Sequence, residues 1–297
     1  MTPTHARHVF NTFVTTLDVA RAASDERLEL LLVNEAQLPL TVSAYERADY
    51  SGARTTRYRY GSPKLYVPQL KGFPLWFVAV VPRTPAQGGP TRTAIMVFNR
   101  EEPADTWRLS VSTLLAPGAT LPRVAVDHDG YATPLATFQR GLLASPNSVG
   151  ALQAAVAADG PAARAATIVA AGPFTTGLYR QIMNAKHQVS RLGLLYDSVL
   201  VGTAFPLYAL RTADGGGLVL YSLNRSAVIK PRTKQRRQIV VPPAFAPMLY
   251  ATGRLVTQSE LDTGETFQYA AHVPASQAGG VLRVIASDGG PTSADGT

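Results

Sequence analysis

The stretch FPLWFVAVVPRTPAQGGPTRTAIMVFNR, residues 73–100, decides the fold. Two apolar runs flank a segment rich in Gly and Pro, a pattern typical of a β-hairpin. A second copy, FPLYALRTADGGGLVLYSLNR, spans residues 205–225. Both copies begin with Phe-Pro-Leu and an aromatic residue, and both end with Asn-Arg. Since residues 215–217 lie between two predicted strands, we interpret this Gly triplet as a hairpin turn and not as a phosphate loop.

Helical patterns precede the first hairpin. Phe10, Phe13 and Leu17 recur at helical spacing within residues 7–22. Asp25 can cap a second helix, which we expect to run to about Gln37, with Pro39 loosening its end. Short strand patterns follow from residue 57. This order predicts an α+β fold in which helices pack on one face of a curved, mainly antiparallel sheet.

The second half of the chain repeats this order, with helices from residue 148 and strands from residue 194. Together with the matching hairpins, this predicts a tandem duplication. We expect a first domain over residues 1–140 and a second over 147–286, joined by a linker near 140–147. The second domain carries a basic insertion near 226–262. We predict that the Gly- and Ser-rich tail, 287–297, is disordered.

The composition excludes several classes of chemistry. The 297 residues include no Cys, which excludes disulfides, thiolate catalysis and sulfur-bound metals. No apolar run reaches the 18 residues of a membrane span. The sequence also lacks the HExxH, GxSxG, Walker and GxGxxG motifs. We therefore predict no cofactor, no metal ion and no catalytic residues, and a protein that is not an enzyme.

The net charge is +8, and one run of eight residues contributes five positive charges, as many as the whole excess of the second half. This run holds Lys230, Arg232, Lys234, Arg236 and Arg237. Such a run can bind a polyanion or an anionic surface weakly, through counterion release. The alternative is a solvated loop. Because no aromatic residue interleaves the charges, specific nucleic-acid binding is not predicted.

Asp127-His128-Asp129 is the cluster most like an acid–base or metal site. In a strand, alternation would direct His128 away from both carboxylates, so we favour a solvated turn. A hydrolase or isomerase would need a carboxylate that points into a pocket. Asp127 and Asp197 are the two carboxylates on predicted strands that we can nominate for this role.

Four aromatic residues on predicted strands are candidates for a ligand pocket: Tyr66, Trp76, Phe77 and Tyr208. A curved sheet covered by helices tends to enclose a cavity, which favours a pocket. The alternative is that these side chains form the apolar core.

Several stretches resemble a domain-of-unknown-function family of actinobacterial secreted or lipid-anchored proteins. They are Ala20–Ala22, Asn34–Ala36, Tyr66–Pro68, Phe73–Phe77, Trp107 and the closing Thr266–Ala286. The resemblance implies no catalytic residues, and it implies that a signal and a lipid anchor precede residue 1. Each half also resembles the nuclear transport factor 2-like cone. That fold serves enzymes, binding modules and secretion scaffolds alike, so it does not decide function.

We therefore expect a non-enzymatic, extracytoplasmic envelope protein, membrane-anchored or secreted, with a binding or scaffolding role. Its expected partners are an envelope protein, a wall polymer or a small ligand. One alternative is a component of a secretion or conjugation-type assembly that uses paired cone domains. A second is a protein with a small-molecule pocket, or a weak hydrolase or isomerase. The alternative location is the cytoplasm.

Overall fold

The structure is a computed structural model that describes residues 1–233, 238–250, 253 and 255–297. Each half of the chain begins with helices and continues into strands. The elements of the first half are α1 (Pro3–Ala23), α2 (Glu26–Leu30), α3 (Gln37–Ser51), β1 (Tyr58–Tyr60), β2 (Lys64–Tyr66), β3 (Leu75–Pro85), β4 (Arg92–Arg100) and β5 (Arg108–Leu114). Those of the second half are α4 (Val149–Asp159), α5 (Thr176–Arg191), β6 (Leu194–Gly202), β7 (Tyr208–Arg211), β8 (Gly217–Pro231), β9 (Ile239–Val240), α6 (Ala246–Tyr250), β10 (Val256–Thr257), β11 (Leu261–Val273) and β12 (Arg283–Gly296).

Helix α1 confirms the first predicted helix. The Thr2 hydroxyl accepts a hydrogen bond from the His5 amide, and Pro3 occupies the first turn, where its missing N–H costs nothing. The helix buries one face, which includes Phe10, Phe13 and Leu17. These side chains pack on the first sheet, where Phe13 meets Phe98 edge to face.

The second predicted helix exists, but the prediction that it runs to about Gln37 is wrong. Asp25 does cap it, accepting from the Leu28 amide, but α2 ends at Leu30. Helix α3 then begins at Gln37 and contains Pro39 near its start. Proline is tolerated there because the first amides of a helix have no intrahelical acceptor. Between the two helices, Glu35 adopts a left-handed conformation with φ of 48°.

The first sheet has the strand order β1-β3-β4-β5, and β2 also pairs with β3. All of these pairs are antiparallel. Strands β3 and β4 form the predicted hairpin, in which Trp76 lies opposite Asn99. The first sequence copy therefore folds as its pattern indicates.

The second sheet has the order β12-β11-β8-β6, and β7 also pairs with β8. Strands β7 and β8 confirm the second hairpin and its glycine turn, where Gly215 has φ of 81°. Its register differs from that of the first copy, because Asn224 lies opposite Val201 of β6 and not opposite Tyr208. The two hairpins are thus not equivalent, and the tandem duplication is not confirmed.

The two sheets pack face to face between outer helices. Alternate residues of β3 point to opposite sides, so Val78 enters the core between the sheets while Phe77 faces α1. Residues of both halves fill this shared core, with Ile95 on one sheet and Leu220 on the other. The fold is α+β, as predicted. The predicted tandem cone arrangement is not confirmed.

The segment predicted as a linker is packed against the second half. Leu142 and Ala144 are buried with helix α4, and the Leu143 amide donates to the Pro274 carbonyl at 2.9 Å. The predicted insertion near 226–262 extends β8, adds the β9–β10 pair and α6, and builds a small core around Ile239. Residues 234–237 of this insertion lie outside the described residues.

The predicted disordered tail is wrong. Strand β12 runs to Gly296 and pairs with β11 along its length. A register shift between Gly264 and Glu265 places Pro291 opposite Glu265. Backbone hydrogen bonds to a long neighbouring strand order this segment, although its Gly- and Ser-rich composition favours disorder locally.

Candidate functional site

A cavity of about 450 Å³ lies where the two halves meet. We call it the seam cavity. Helices α1 and α3 and strands β1, β3 and β5 form most of its wall, and β12 of the second half closes it. Its lining residues are Arg21, Gln37, Leu40, Thr41, Ala44, Arg47, Ala48, Ser51, Ala53, Arg54, Thr55, Thr56, Tyr58, Arg83, Ser112, Leu114, Asp288 and Gly289.

Arg21 is neutralised by an ion pair behind the cavity wall. It donates to both carboxylate oxygens of Glu29, with its nearest nitrogen at 2.7 Å. The Glu29 side chain is only 1% exposed, and the Tyr45 hydroxyl also donates to it. Burying a carboxylate is costly unless it is paired and hydrogen-bonded, and Glu29 is both.

Arg83 is also paired, across the seam. Its guanidinium lies 3.1 Å from the Asp288 carboxylate of the second half. The guanidinium of Arg83 lies 4.4 Å from the Tyr58 ring centre, and that of Arg21 lies 5.4 Å from it. These cation–π contacts fix Tyr58 in the cavity wall.

Arg47 and Arg54 make no ion pair with any described residue. Arg47 donates from one nitrogen to Ser43 Oγ at 2.5 Å and to the Pro291 carbonyl at 3.3 Å. Arg54 donates to the Ala22 carbonyl at 3.3 Å. Burial lowers the pKa of Arg47, an effect that neighbouring Glu46 partly offsets. The cavity is therefore lined by two arginines that lack an ion-pair partner among the described residues.

Gly289 completes the wall beside Asp288. It has φ of 142°, and a Cβ at this position would collide with the backbone of Thr266 and Phe267. A side chain is therefore excluded, so that β12 can approach β11 closely and place Asp288 at the cavity.

A second polar cluster lies beside the shared core, and Glu35 is its centre. The Asn99 amide donates to Glu35 Oε1 at 2.7 Å, and the Tyr208 hydroxyl donates to both carboxylate oxygens at 3.0 Å. Asn34 links the cluster further, because it donates to Asn99 Oδ1 and accepts from Ser110 Oγ. The cluster joins Glu35 of the first half to Tyr208 of the second.

Burial raises the pKa of Glu35 to about 7, although the hydrogen bond from Tyr208 acts in the opposite direction. The nearby Glu101 carboxylate raises it further. Burial also raises the pKa of Tyr208, which keeps its hydroxyl a donor. A left-handed backbone is costly for a residue other than glycine, and at Glu35 the dense hydrogen bonding can offset that cost.

The four aromatic residues predicted as a pocket do not lie together. Tyr66, Trp76 and Tyr208 contact the shared core between the sheets, and the Trp76 and Tyr208 rings pack 5.3 Å apart. Phe77 lies on the opposite face, stacked on Phe98 at 4.9 Å. None of the four lines the seam cavity. Their role in ligand binding stays a prediction.

The acidic triplet forms a turn. Asp127 Oδ1 accepts from the amides of Asp129 and Tyr131, and the His128 side chain is 89% exposed. Asp197, the other nominated carboxylate, is exposed on β6 and borders a cavity of about 190 Å³. The contacts of Asp127 are those of a solvated Asx turn, which is the interpretation that the sequence favours for the triplet.

Only part of the basic run can be placed. Lys230 is exposed at the end of β8, and Arg232 donates to Ser190 Oγ at 2.5 Å. Lys234, Arg236 and Arg237 lie outside the described residues. The polyanion contact stays a prediction.

Sequence reasoning missed the seam cavity because its arginines are dispersed. Arg21, Arg47, Arg54 and Arg83 lie on two helices, a loop and a strand, at spacings with no motif. It missed Glu35 because we placed that residue inside a helix. The signal present was Asn34-Glu35, since asparagine tolerates turn and left-handed conformations better than most residues.

Comparisons with known proteins place the chain in a family. The family described as "Domain of unknown function (DUF8094)" matches residues 1–296. A protein of Streptomyces avermitilis named "Uncharacterized lipoprotein" is 30% identical over 217 residues, which is 70% of this chain and 61% of that protein. Two lipoproteins of Streptomyces coelicolor, also named uncharacterized, are 29% and 31% identical over 54% and 56% of this chain, each alignment covering 46% of the relative. The chain thus spans about half to three fifths of the curated relatives it matches.

No solved structure matches this chain. Among the described residues, no helix combines the length and apolar character needed to cross a membrane. The predicted resemblance to a family of unknown function in actinobacteria is confirmed, whereas the nuclear transport factor 2-like fold is not. Because the family match covers nearly the whole chain, the chain belongs to the DUF8094 family.

Proposed function

We propose that this chain is a non-enzymatic binding module of an extracytoplasmic, lipoprotein-type envelope protein, and that a small ligand occupies the seam cavity. The observation that carries this proposal is the cavity itself, which is built by both halves and lined by polar groups. Its volume of about 450 Å³ falls within the range of roughly 300–1,000 Å³ that is usual for small-molecule sites. The similarity to Streptomyces lipoproteins supports the envelope location.

The packing of the walls supports a preformed site. Ser43 of α3 donates to the Pro291 carbonyl, and Arg83 pairs with Asp288, so contacts between the halves hold the cavity on two sides. A preformed cavity loses little conformational entropy when it binds a ligand. We therefore expect binding without a large rearrangement of the backbone.

The test is a screen of neutral and charged small molecules by amide chemical shifts. We expect at least one compound to shift the cavity amides of Ala44, Ser51 and Gly289. A matched variant, Ala44→Trp, fills the cavity from α3 and should abolish these shifts. Ala151→Trp, at an exposed position on α4, places the same bulk away from the cavity and serves as the control. Shifts that survive Ala44→Trp, or a screen without any shift at these amides, would refute the proposal.

A further inference from the structure

The charges of the seam cavity indicate which class of ligand it takes, and this inference rests on the proposed function. We infer that the cavity binds a phosphate group through Arg47 and Arg54. The phosphate can belong to a soluble phosphate monoester or to the monoester headgroup of phosphatidic acid, since both present the same three terminal oxygens and the same charge.

The first step of the argument is the charge balance. Arg21 is neutralised by Glu29, and Arg83 by Asp288. Arg47 and Arg54 have no ion-pair partner among the described residues, which leaves two positive charges at one cavity. A phosphate monoester carries about −1.5 to −2 charges near neutral pH, which balances them.

The second step is the supply of free donors. Arg47 uses one terminal nitrogen for its hydrogen bonds to Ser43 and Pro291. Its Nε and its other terminal nitrogen make no hydrogen bond to any described residue. These two nitrogens form the fork with which arginine binds two oxygens of a phosphate at once. Arg54 is exposed and borders the same cavity, so it can approach from the opening.

The third step is burial. Arg47 is half-buried, and burial lowers the pKa of its guanidinium because desolvation disfavours the charged form. The Glu46 charge partly offsets the desolvation, but Glu46 makes no ion pair with Arg47. An anion in the cavity would supply the missing compensation.

The experiment is calorimetric titration of the full chain with glycerol phosphate, and flotation with phosphatidylcholine vesicles that contain phosphatidic acid or with vesicles of phosphatidylcholine alone. We expect glycerol phosphate, vesicles with phosphatidic acid or both to bind, and vesicles of phosphatidylcholine alone not to bind. Binding of the soluble ester identifies a free ester as the source, and binding of the anionic vesicles alone identifies a headgroup. Either result supports the phosphate assignment.

Variants test the two arginines. Arg47→Gln should weaken binding by about tenfold or more, as expected for a charge-assisted fork, and Arg54→Gln should weaken it less. Arg164→Gln removes the same charge from an exposed position outside the cavity and should change nothing. If Arg47→Gln does not fold, Arg47→Lys keeps the charge, loses the fork and should still bind less tightly.

Three results would overturn the inference. Equal weakening by Arg164→Gln and Arg47→Gln would show that binding depends only on net charge. Binding of a neutral sugar that Ala44→Trp abolishes, without binding of either phosphate probe, would refute phosphate recognition and leave the proposed function intact. If no probe of any kind shifts the cavity amides, both proposals fail.

Discussion

Tyr208 donates its hydroxyl to both carboxylate oxygens of Glu35, at 3.0 Å each, and the two residues belong to opposite halves of the chain. Trp76 packs against the Tyr208 ring, so the hydroxyl is held in place from the side. Asn99 donates to the same carboxylate and to the Tyr208 oxygen. Hydrogen bonds between Tyr208 and Glu35 and the adjacent apolar packing of Trp76 on Tyr208 therefore join the two halves at the same place.

Glu35 should make stability depend on pH. Its folded-state pKa of about 7 lies above the ordinary value of 4.5, so the folded chain holds this proton more tightly than the unfolded chain. Its contribution is full below pH 4.5 and is lost as pH rises towards 7. Urea denaturation of the wild type and of Glu35→Gln measures this contribution as the difference between them. Between pH 4.5 and pH 7, the unfolding free energy of the wild type should fall relative to that of Glu35→Gln. A difference that stays constant over this pH range would contradict the raised pKa of Glu35.

Removing the Tyr208 hydroxyl should destabilise the protein. Tyr208→Phe leaves the Glu35 carboxylate without one of its donors, which we expect to cost about 1–2 kcal/mol of unfolding free energy. Tyr131→Phe removes a hydroxyl from a half-buried ring outside this cluster and should have a smaller effect. Equal changes in the urea midpoints of the two variants would show that the bond between the halves contributes nothing specific.

The buried pair of Arg21 and Glu29 should matter more than the exposed pair of Arg57 and Asp18. Arg21→Met leaves a carboxylate that is 1% exposed without its counter-charge, at an expected cost of about 3–5 kcal/mol. Arg57 and Asp18 are 41% and 43% exposed, so Arg57→Met should change stability little. Thermal unfolding of both variants compares the pairs, and similar losses would contradict the burial argument.

The end of the chain should resist hydrogen exchange. Amides of β12 that bond to β11 should exchange slowly as far as Asp295, as the central strands do. A disordered tail would exchange at once. Mass spectrometry of peptides that cover residues 287–296 measures this directly.

Local patterns predicted the parts of the fold that depend on neighbours in sequence. The apolar spacing of Phe10, Phe13 and Leu17 located α1, and the run from Phe73 to Arg100 located the β3–β4 hairpin. Patterns failed where distant partners decide the structure. The tail is ordered by β11, which no local composition reveals.

Dependence on distant residues also explains why the sequence did not reveal the candidate sites. Glu35, Asn99 and Tyr208 are far apart in sequence and meet only because the two sheets pack face to face. The availability of Arg47 depends on its having no ion-pair partner among the described residues. Neither property follows from residue type or spacing along the chain.

Native mass spectrometry is the most direct test of ligand binding in the seam cavity. The chain and its Ala44→Trp variant are incubated with a small-molecule extract of an actinobacterial envelope, and each is weighed under native and denaturing conditions. Our account predicts an added mass on the wild type that denaturation removes, and no added mass on Ala44→Trp. A bare chain mass in both proteins, or the same added mass on both, would contradict it.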